Sequence, residues 1–133
     1  MILLDTTFLI DTLRERKNIR EKIEKLKGEI LATTEVNVFE TLVGIYSSKK
    51  TTMQKDMEAA YELFNRLNIL PLERKGSHQA AQILGKLICE GRRIGELDCL
   101  TAGISLSHGI TQIVTGNKSH FERVPGIKII PYV

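Results

Sequence analysis

Short apolar runs alternate with longer stretches of helical periodicity along the chain. Ile2 to Leu4 reads as a buried strand closed by Asp5. Thr6 or Thr7 can cap a helix to about Arg16, with Phe8, Leu9, Ile10 and Leu13 inside. Asn18 caps a second helix with Ile19, Ile23 and Leu26 on one face, stopped by Gly28. Glu29 to Ala32 reads as a second strand. Thr33 or Thr34 begins a helix through about Tyr46, in which Val36, Phe39, Val43 and Tyr46 recur at helical spacing. After a polar break at Ser47 to Thr52, Met53 to Leu67 forms an amphipathic helix with Met57, Ala60, Tyr61 and Phe64 inward. Ile69 to Leu72 is a third strand, and Pro71 suits a sheet edge or strand end. Glu73 to Glu90 is helical, with Ala80, Ala81, Leu84, Leu87 and Ile88 as its apolar set. Glu96 to His108 is a helix stopped by Gly109, and Ile110 to Thr115 is a fourth strand. A turn or short helix at Lys118 to Arg123 and the Pro125-Gly126 turn lead to a fifth strand, Ile127 to Ile130. Short apolar strands between helices predict a three-layer α/β fold with a short, mainly parallel sheet flanked by helices.

Length and composition narrow this picture only a little. The 133 residues suit one domain, spanning 1–133. A chain of this size buries roughly 65–70% of its unfolded surface and needs no disulfide or structural metal. Hydrophobic residues make up 42% and charged residues 26%, with a formal net charge of +3. That mild basicity permits a nucleic-acid partner without demanding one. Cys89 and Cys99 lie in apolar helical contexts and are expected as buried thiols. No C-x-x-C spacing suggests zinc. The apolar run after Met1 is too short for a signal peptide, and nothing approaches the ~18 apolar residues of a membrane span. A cytoplasmic protein with no membrane partner is expected.

Four acidic or amide side chains fall at or near element ends: Asp5, Glu40, Asp98 and Asn117. Ligands of open α/β sheets bind outside the carboxyl ends of the strands. Carboxylates gathered there need a cation, and hard oxygen donors suit Mg²⁺, with Mn²⁺ as the alternative. Each residue also has a plainer role. Asp5 can cap a helix, although two threonines follow it. Glu40 can reach solvent from the edge of its helix. Asp98 can be a first-turn acid answering the helix dipole, and Glu96 either a second ligand or another such acid. Asn117 can be an ordinary turn residue.

The surrounding segments are more specific. "LLDTTFLID", "TTEVNVFETLVG" and "GRRIGELDCLTAGISLSHGITQIVTGNKSHFERVPGIKII" occur in that order over nearly the full length. In this the chain resembles PIN-domain nucleases, and among them the VapC toxins of toxin–antitoxin pairs. The resemblance implies metal-dependent endonucleolytic cleavage of RNA. It carries the family's acids onto Asp5, Glu40 and Asp98, its fourth position onto Asn117, and its flanking Ser/Thr positions onto Thr115 and Thr6. Asp5 and Asp98 would then hold Mg²⁺, and Glu40 would complete the shell or orient the attacking water. Thr115 and Asn117 would position these groups or the phosphate. The amide at Asn117 removes one charge relative to fully acidic members, which weakens a second metal position. Gly103 stands where alanine is usual and implies close packing. The resemblance also implies a homodimer and a small VapB-type antitoxin as partner. An apolar groove around Leu9, Leu13, Val43 and Tyr46 would suit that partner's helix.

Basic clusters offer a path for RNA. Arg92, Arg93 and Lys118 rank first because they flank candidate site residues, ahead of Arg14, Arg16 and Lys17, Lys49 and Lys50, and Arg123. His78, His108 and His120 have no ligand spacing and are expected to be structural. No G-x-x-x-x-G-K-[ST] loop supports nucleotide hydrolysis. A phosphatase using Asp5 as nucleophile would want a second aspartate at position 7, which is Thr. An RNA-processing nuclease without an antitoxin and a non-catalytic RNA-binding scaffold remain as alternatives. The retained acids weigh against the scaffold.

Overall fold

The first strand, β1 (Ile2–Leu4), sends Leu3 to one face of the sheet and Ile2 and Leu4 to the other. That alternation is the period-2 geometry of a strand, and both faces are buried because helices cover both. The computed structural model describes residues 1–132, so the last residue of the expected 1–133 domain lies outside the described residues. In chain order the elements after β1 are α1 (Thr6–Leu13), α2 (Ile19–Lys25), β2 (Leu31–Thr34), α3 (Glu35–Tyr46), α4 (Met53–Phe64), β3 (Asn68–Leu70), α5 (Arg74–Cys89), α6 (Glu96–Ser107), β4 (Gln112–Val114), α7 (Lys118–Phe121) and β5 (Lys128–Ile130).

The five strands pair in the order β3-β2-β1-β4-β5, and every pairing is parallel. Leu3 and the inner residues of α5, α6 and α7, including Leu87, Ala102 and Phe121, form the core on one face. Ile2, Leu4 and Val114 pack on the other against Phe8 and Leu9 of α1, Ile19 of α2 and Ala60 and Phe64 of α4. The result is the expected three-layer architecture. The strand order reverses between β1 and β4, so a crevice opens at their carboxyl ends.

Several expectations shift. The second strand starts two residues later than Glu29, leaving Ile30 exposed, because Thr33 and Thr34 sit in the sheet and Thr34 then caps α3. The third strand is an edge strand that stops at Leu70, before Pro71 removes a ladder donor. Helix α1 ends at Leu13 rather than Arg16, since Glu15 and Asn18 adopt left-handed backbone (φ 49° and 70°). In α3, Phe39, Val43 and Tyr46 face solvent; the buried residues are Val36, Asn37 and Thr41, with Val38, Leu42 and Ile45 packed on the core. Ile23, Tyr61, Ala81 and Ile88 are likewise exposed rather than inward. Cys99 is buried as expected, but Cys89, the last residue of α5, is exposed.

Candidate active site

The crevice is lined by residues that the two central strands and three helices bring to one place. β1 ends at Leu4, so Asp5 takes the N-cap position of α1 with extended backbone (φ −80°, ψ 163°). Its side chain does not make the cap bond. The carboxylate is therefore free of the plainer role its position suggested, and it is 1% exposed. Asn37 Nδ2 donates to Oδ1 at 3.1 Å. Thr115 Oγ1, just past β4, donates to Oδ2 at 2.7 Å, and Thr7 Oγ1 approaches the same oxygen at 3.3 Å.

Asn37 is the buried hub of this network. Its Oδ1 accepts from the Thr34 hydroxyl at 2.7 Å and the Thr34 backbone N–H at 3.3 Å, while its own N–H reaches Thr34 Oγ1. That is a capping box built with an amide, and it fixes the start of α3. The amide nitrogen then faces Asp5 and also donates to Thr6 Oγ1 at 2.9 Å. Thr6 in turn donates to Glu40 Oε1 at 2.9 Å. Two acids from different elements are thus oriented by one side chain and its hydroxyl relay.

Asp98, in the first turn of α6, has a side chain 14% exposed, and His120 Nδ1 of α7 lies 2.7 Å from its Oδ2. Asp98 is near enough to raise the pKa of both Asp5 and Glu40 through charge repulsion. For Asp5, burial is the larger cause of its raised pKa, opposed chiefly by the Thr115 hydrogen bond. For half-buried Glu40, burial again leads, the Thr6 hydrogen bond opposes it, and Asp5 and Asp98 add repulsion. Among the described residues, no Lys or Arg forms an ion pair with Asp5, Glu40 or Asp98.

The other expected residues are arranged more loosely. Asn117 donates its backbone N–H to Thr115 Oγ1 at 2.9 Å, and it lines a cavity of about 350 Å³ with Thr7, Ile10, Asp11, Gly116 and Tyr132. Glu96 pairs with Arg93, which supports its reading as a first-turn surface acid. Arg92 and Arg93 are exposed in the loop before α6, held there by Arg123, whose guanidinium donates to both their carbonyls at 3.3 and 3.2 Å. Lys118 is exposed at the start of α7.

Sequence reasoning missed Asn37 and set His120 aside. The T-x-x-N spacing from Thr34 and the i, i+3 relation of Asn37 to Glu40 were the available signals for the first. For His120 the signal was its i+3 position after Asn117; ligand spacing within the sequence could not show a partner 22 residues away on another helix.

Asp5, Glu40 and Asp98 repel one another with no Lys or Arg paired to them among the described residues, His120 being the basic group at Asp98, and hydroxyl and amide donors aim the most buried of them. Among the described residues, no three His, Cys, Asp or Glu side chains close into a ready ligand cage.

Residues 2–127 match the family profile described as PIN domain. The tRNA(fMet)-specific endonuclease VapC of Shigella flexneri is 30% identical over 128 residues, covering 95% of this chain and 93% of that protein. The protein of the same name from Salmonella typhimurium is 27% identical over 128 residues, covering 96% and 94%. Among solved structures, the DNA-bound VapBC of Salmonella typhimurium is similar with a TM-score of 0.86 at 26% identity, covering 99% of this chain and 98% of that one. VapBC2 of Rickettsia felis, bound to a promoter DNA fragment, has a TM-score of 0.88 at 22% identity and full coverage of both chains, a likeness of fold.

Proposed function

The chain belongs to the PIN-domain family, and we propose that it is a Mg²⁺-dependent endoribonuclease, the toxin of a type II toxin–antitoxin pair. The observation that carries this reading is the carboxylate cluster of Asp5, Glu40 and Asp98 at the β1/β4 crevice, with no Lys or Arg paired to it among the described residues and only His120 beside Asp98. Burying such a cluster is unfavourable unless a cation completes it. Relatives at 30% and 27% identity are named for cleavage of tRNA(fMet), so a structured tRNA is the first substrate to try.

Asp5 and Asp98 would hold the cation, with Glu40 beside them. When bound, the cation would offset charge gathering on the phosphate oxygens and lower the pKa of an attacking water. The chain's own residues supply the rest. Asn37, Thr7 and Thr115 fix the Asp5 carboxylate. Thr6 occupies Glu40 Oε1, leaving Oε2 to accept a hydrogen bond from water; the raised pKa of Glu40 makes it a better proton acceptor than an ordinary surface glutamate. Arg92 and Lys118, exposed on neighbouring loops, would meet phosphates of the RNA. Arg93 is a weaker candidate because it is engaged by Glu96.

The partner would be a small antitoxin, in keeping with the VapBC complexes among similar structures. The exposed Phe39, Val43 and Tyr46 of α3 offer the apolar face for a homodimer. The test is cleavage of purified tRNA by the wild-type chain in Mg²⁺ or Mn²⁺. EDTA or Asp5→Asn should lower the rate by at least about a hundredfold, at the strong end of the loss expected when a metal site is disturbed. Full activity in either case would sink the metal mechanism. Cleavage without any small co-purifying partner, and without slowed growth on induction, would favour an RNA-processing nuclease instead.

A further inference from the structure

We propose that Tyr132 is a positioning residue for the cleavage reaction, clamping the Thr115–Gly116–Asn117 turn against α1 so that Thr7 and Thr115 keep the Asp5 carboxylate aimed. This role rests on the nuclease reading above. Tyr132 follows β5 at the carboxyl end of the sheet, the side on which the crevice opens. Its ring meets Phe8 of α1 edge-on, with centroids 4.9 Å apart and planes at 80°. Its hydroxyl donates to Asp11 Oδ2, one turn further along α1, at 2.8 Å. Arg16 Nε lies 3.5 Å from the other oxygen of Asp11 and steadies that acceptor. Burial, together with the Asp11 carboxylate, pushes the Tyr132 phenol up to about 12, so it stays a donor at any working pH.

The same hydroxyl stands over the Gly116 backbone, in the turn that carries two site residues. A Cβ on Gly116 would lie 3.1 Å from the Tyr132 hydroxyl and 3.4 Å from Thr7 Oγ1. The turn is thus held close between the tail and α1, where only glycine fits without displacement. From there the contacts lead directly to the site. Gly116 N–H donates to Thr7 Oγ1 at 2.8 Å. That hydroxyl lies 3.3 Å from Asp5 Oδ2 and 3.4 Å from Thr115 Oγ1, itself the 2.7 Å donor to the same carboxylate oxygen. Phe in place of Tyr132 would keep the packing on Phe8. The hydroxyl is what ties the tail to Asp11 and occupies the space a Gly116 side chain would need.

The experiment pairs steady-state cleavage with amide exchange at Gly116. Tyr132→Phe should lower kcat about tenfold, the lower range for groups that orient ligands, with KM unchanged and the Gly116 amide exchanging faster. Asp11→Asn keeps an acceptor for the hydroxyl and should retain most of kcat. Gly116→Ala should also lower kcat, and its combination with Tyr132→Phe should cost less than the product of the two, because removing the hydroxyl relieves the 3.1 Å contact. Wild-type kcat in Tyr132→Phe overturns the proposal, whatever the exchange rate. So does a rise in KM alone, which would make Tyr132 an RNA contact. Absence of cleavage by the wild-type chain would overturn the nuclease reading as well, and Gly116 exchange would then report only whether the clamp exists.

Discussion

At the scale of single residues, this site gathers charge that the fold by itself would not choose. Asp5 and Glu40 both have pKa values raised above their ordinary carboxylate levels, burial being the leading cause in each. A folded carboxyl with a raised pKa binds its proton more tightly than the unfolded chain does. Stability therefore falls as pH rises from the unfolded pKa through the raised folded value, and the penalty is complete above it. The metal-free protein should accordingly melt at a higher temperature near about pH 5 than near about pH 7.5. Glu40→Gln keeps an acceptor for Thr6 while removing one charge. It should raise the neutral-pH Tm of the metal-free chain by about 2–4 °C, a small shift because Glu40 is half in solvent. It should also flatten the pH dependence and impair cleavage. Thermal melts across pH with and without Mg²⁺ check this; a Glu40→Gln chain less stable than wild type at neutral pH would show that the carboxylate is net stabilising. A site that lowers stability in exchange for binding is an ordinary trade in enzymes.

At the scale of elements, the closest packing is between α5 and α6. A Cβ on Gly103 would lie 2.6 Å from both Ala80 N and Gly76 O, and 2.7 Å from Ala80 Cβ. Two of those atoms are backbone, so the helices would have to part. Gly103→Ala should cost about 1–3 kcal/mol of stability, read as a lower denaturant midpoint with an unchanged m-value. An unchanged midpoint would mean that the helices separate freely. Gly103 was legible in the sequence as a close-packing position. So were the strand–helix alternation and the strand ends, because short Val, Ile and Leu runs bounded by turn residues admit few other readings. The phase of α3 was not. Val38, Leu42 and Ile45 and their neighbours Phe39, Val43 and Tyr46 are two apolar stripes with the same i, i+4, i+7 spacing. They differ by one residue, about 100° around the helix, and periodicity cannot say which is inward. Thr34 decides it, since the cap it forms with Asn37 turns Asn37 toward Asp5. Of the site, the acids were visible because acids at strand ends are conspicuous. Asn37 and His120 were not, because the fold alone brings them to acids 32 and 22 residues away in sequence.

At the scale of the whole molecule, a second cavity adjoins the pocket beside Asn117. This cavity, about 460 Å³, lies among α1, α3 and α4; Ile10 and Leu13 help form its walls, with Arg14, Arg16, Lys50 and Asp56 also lining it. Ile10 also lines the smaller pocket beside Asn117, so one residue joins the two spaces. This corrects the groove expected from sequence. Leu13 lines it, Leu9 is wholly in the core, and Val43 and Tyr46 lie exposed on the outer side of α3. An amphipathic antitoxin helix with acidic flanks would fit this partly apolar cavity, where Arg14, Arg16 and Lys50 outnumber Asp56, and from there a chain could continue toward the crevice and cover it. Gly44 tests that occupancy without touching the cluster. It lines the cavity, and the nearest atom to a Cβ there is Ile10 Cδ1 at 4.0 Å, so a side chain would grow into open space. Gly44→Phe should fill the cavity and weaken antitoxin binding by about 2–3 kcal/mol, roughly a hundredfold in Kd. tRNA cleavage by the free chain should remain near wild type, so the variant would be active and poorly neutralised. Binding of a VapB-type antitoxin to the free chain, followed by cleavage assays with increasing antitoxin, reads both properties. Unimpaired neutralisation would place the partner elsewhere, with the exposed α3 face as the next surface to examine, while joint loss of cleavage and neutralisation would show that the cavity and the crevice cannot be altered separately.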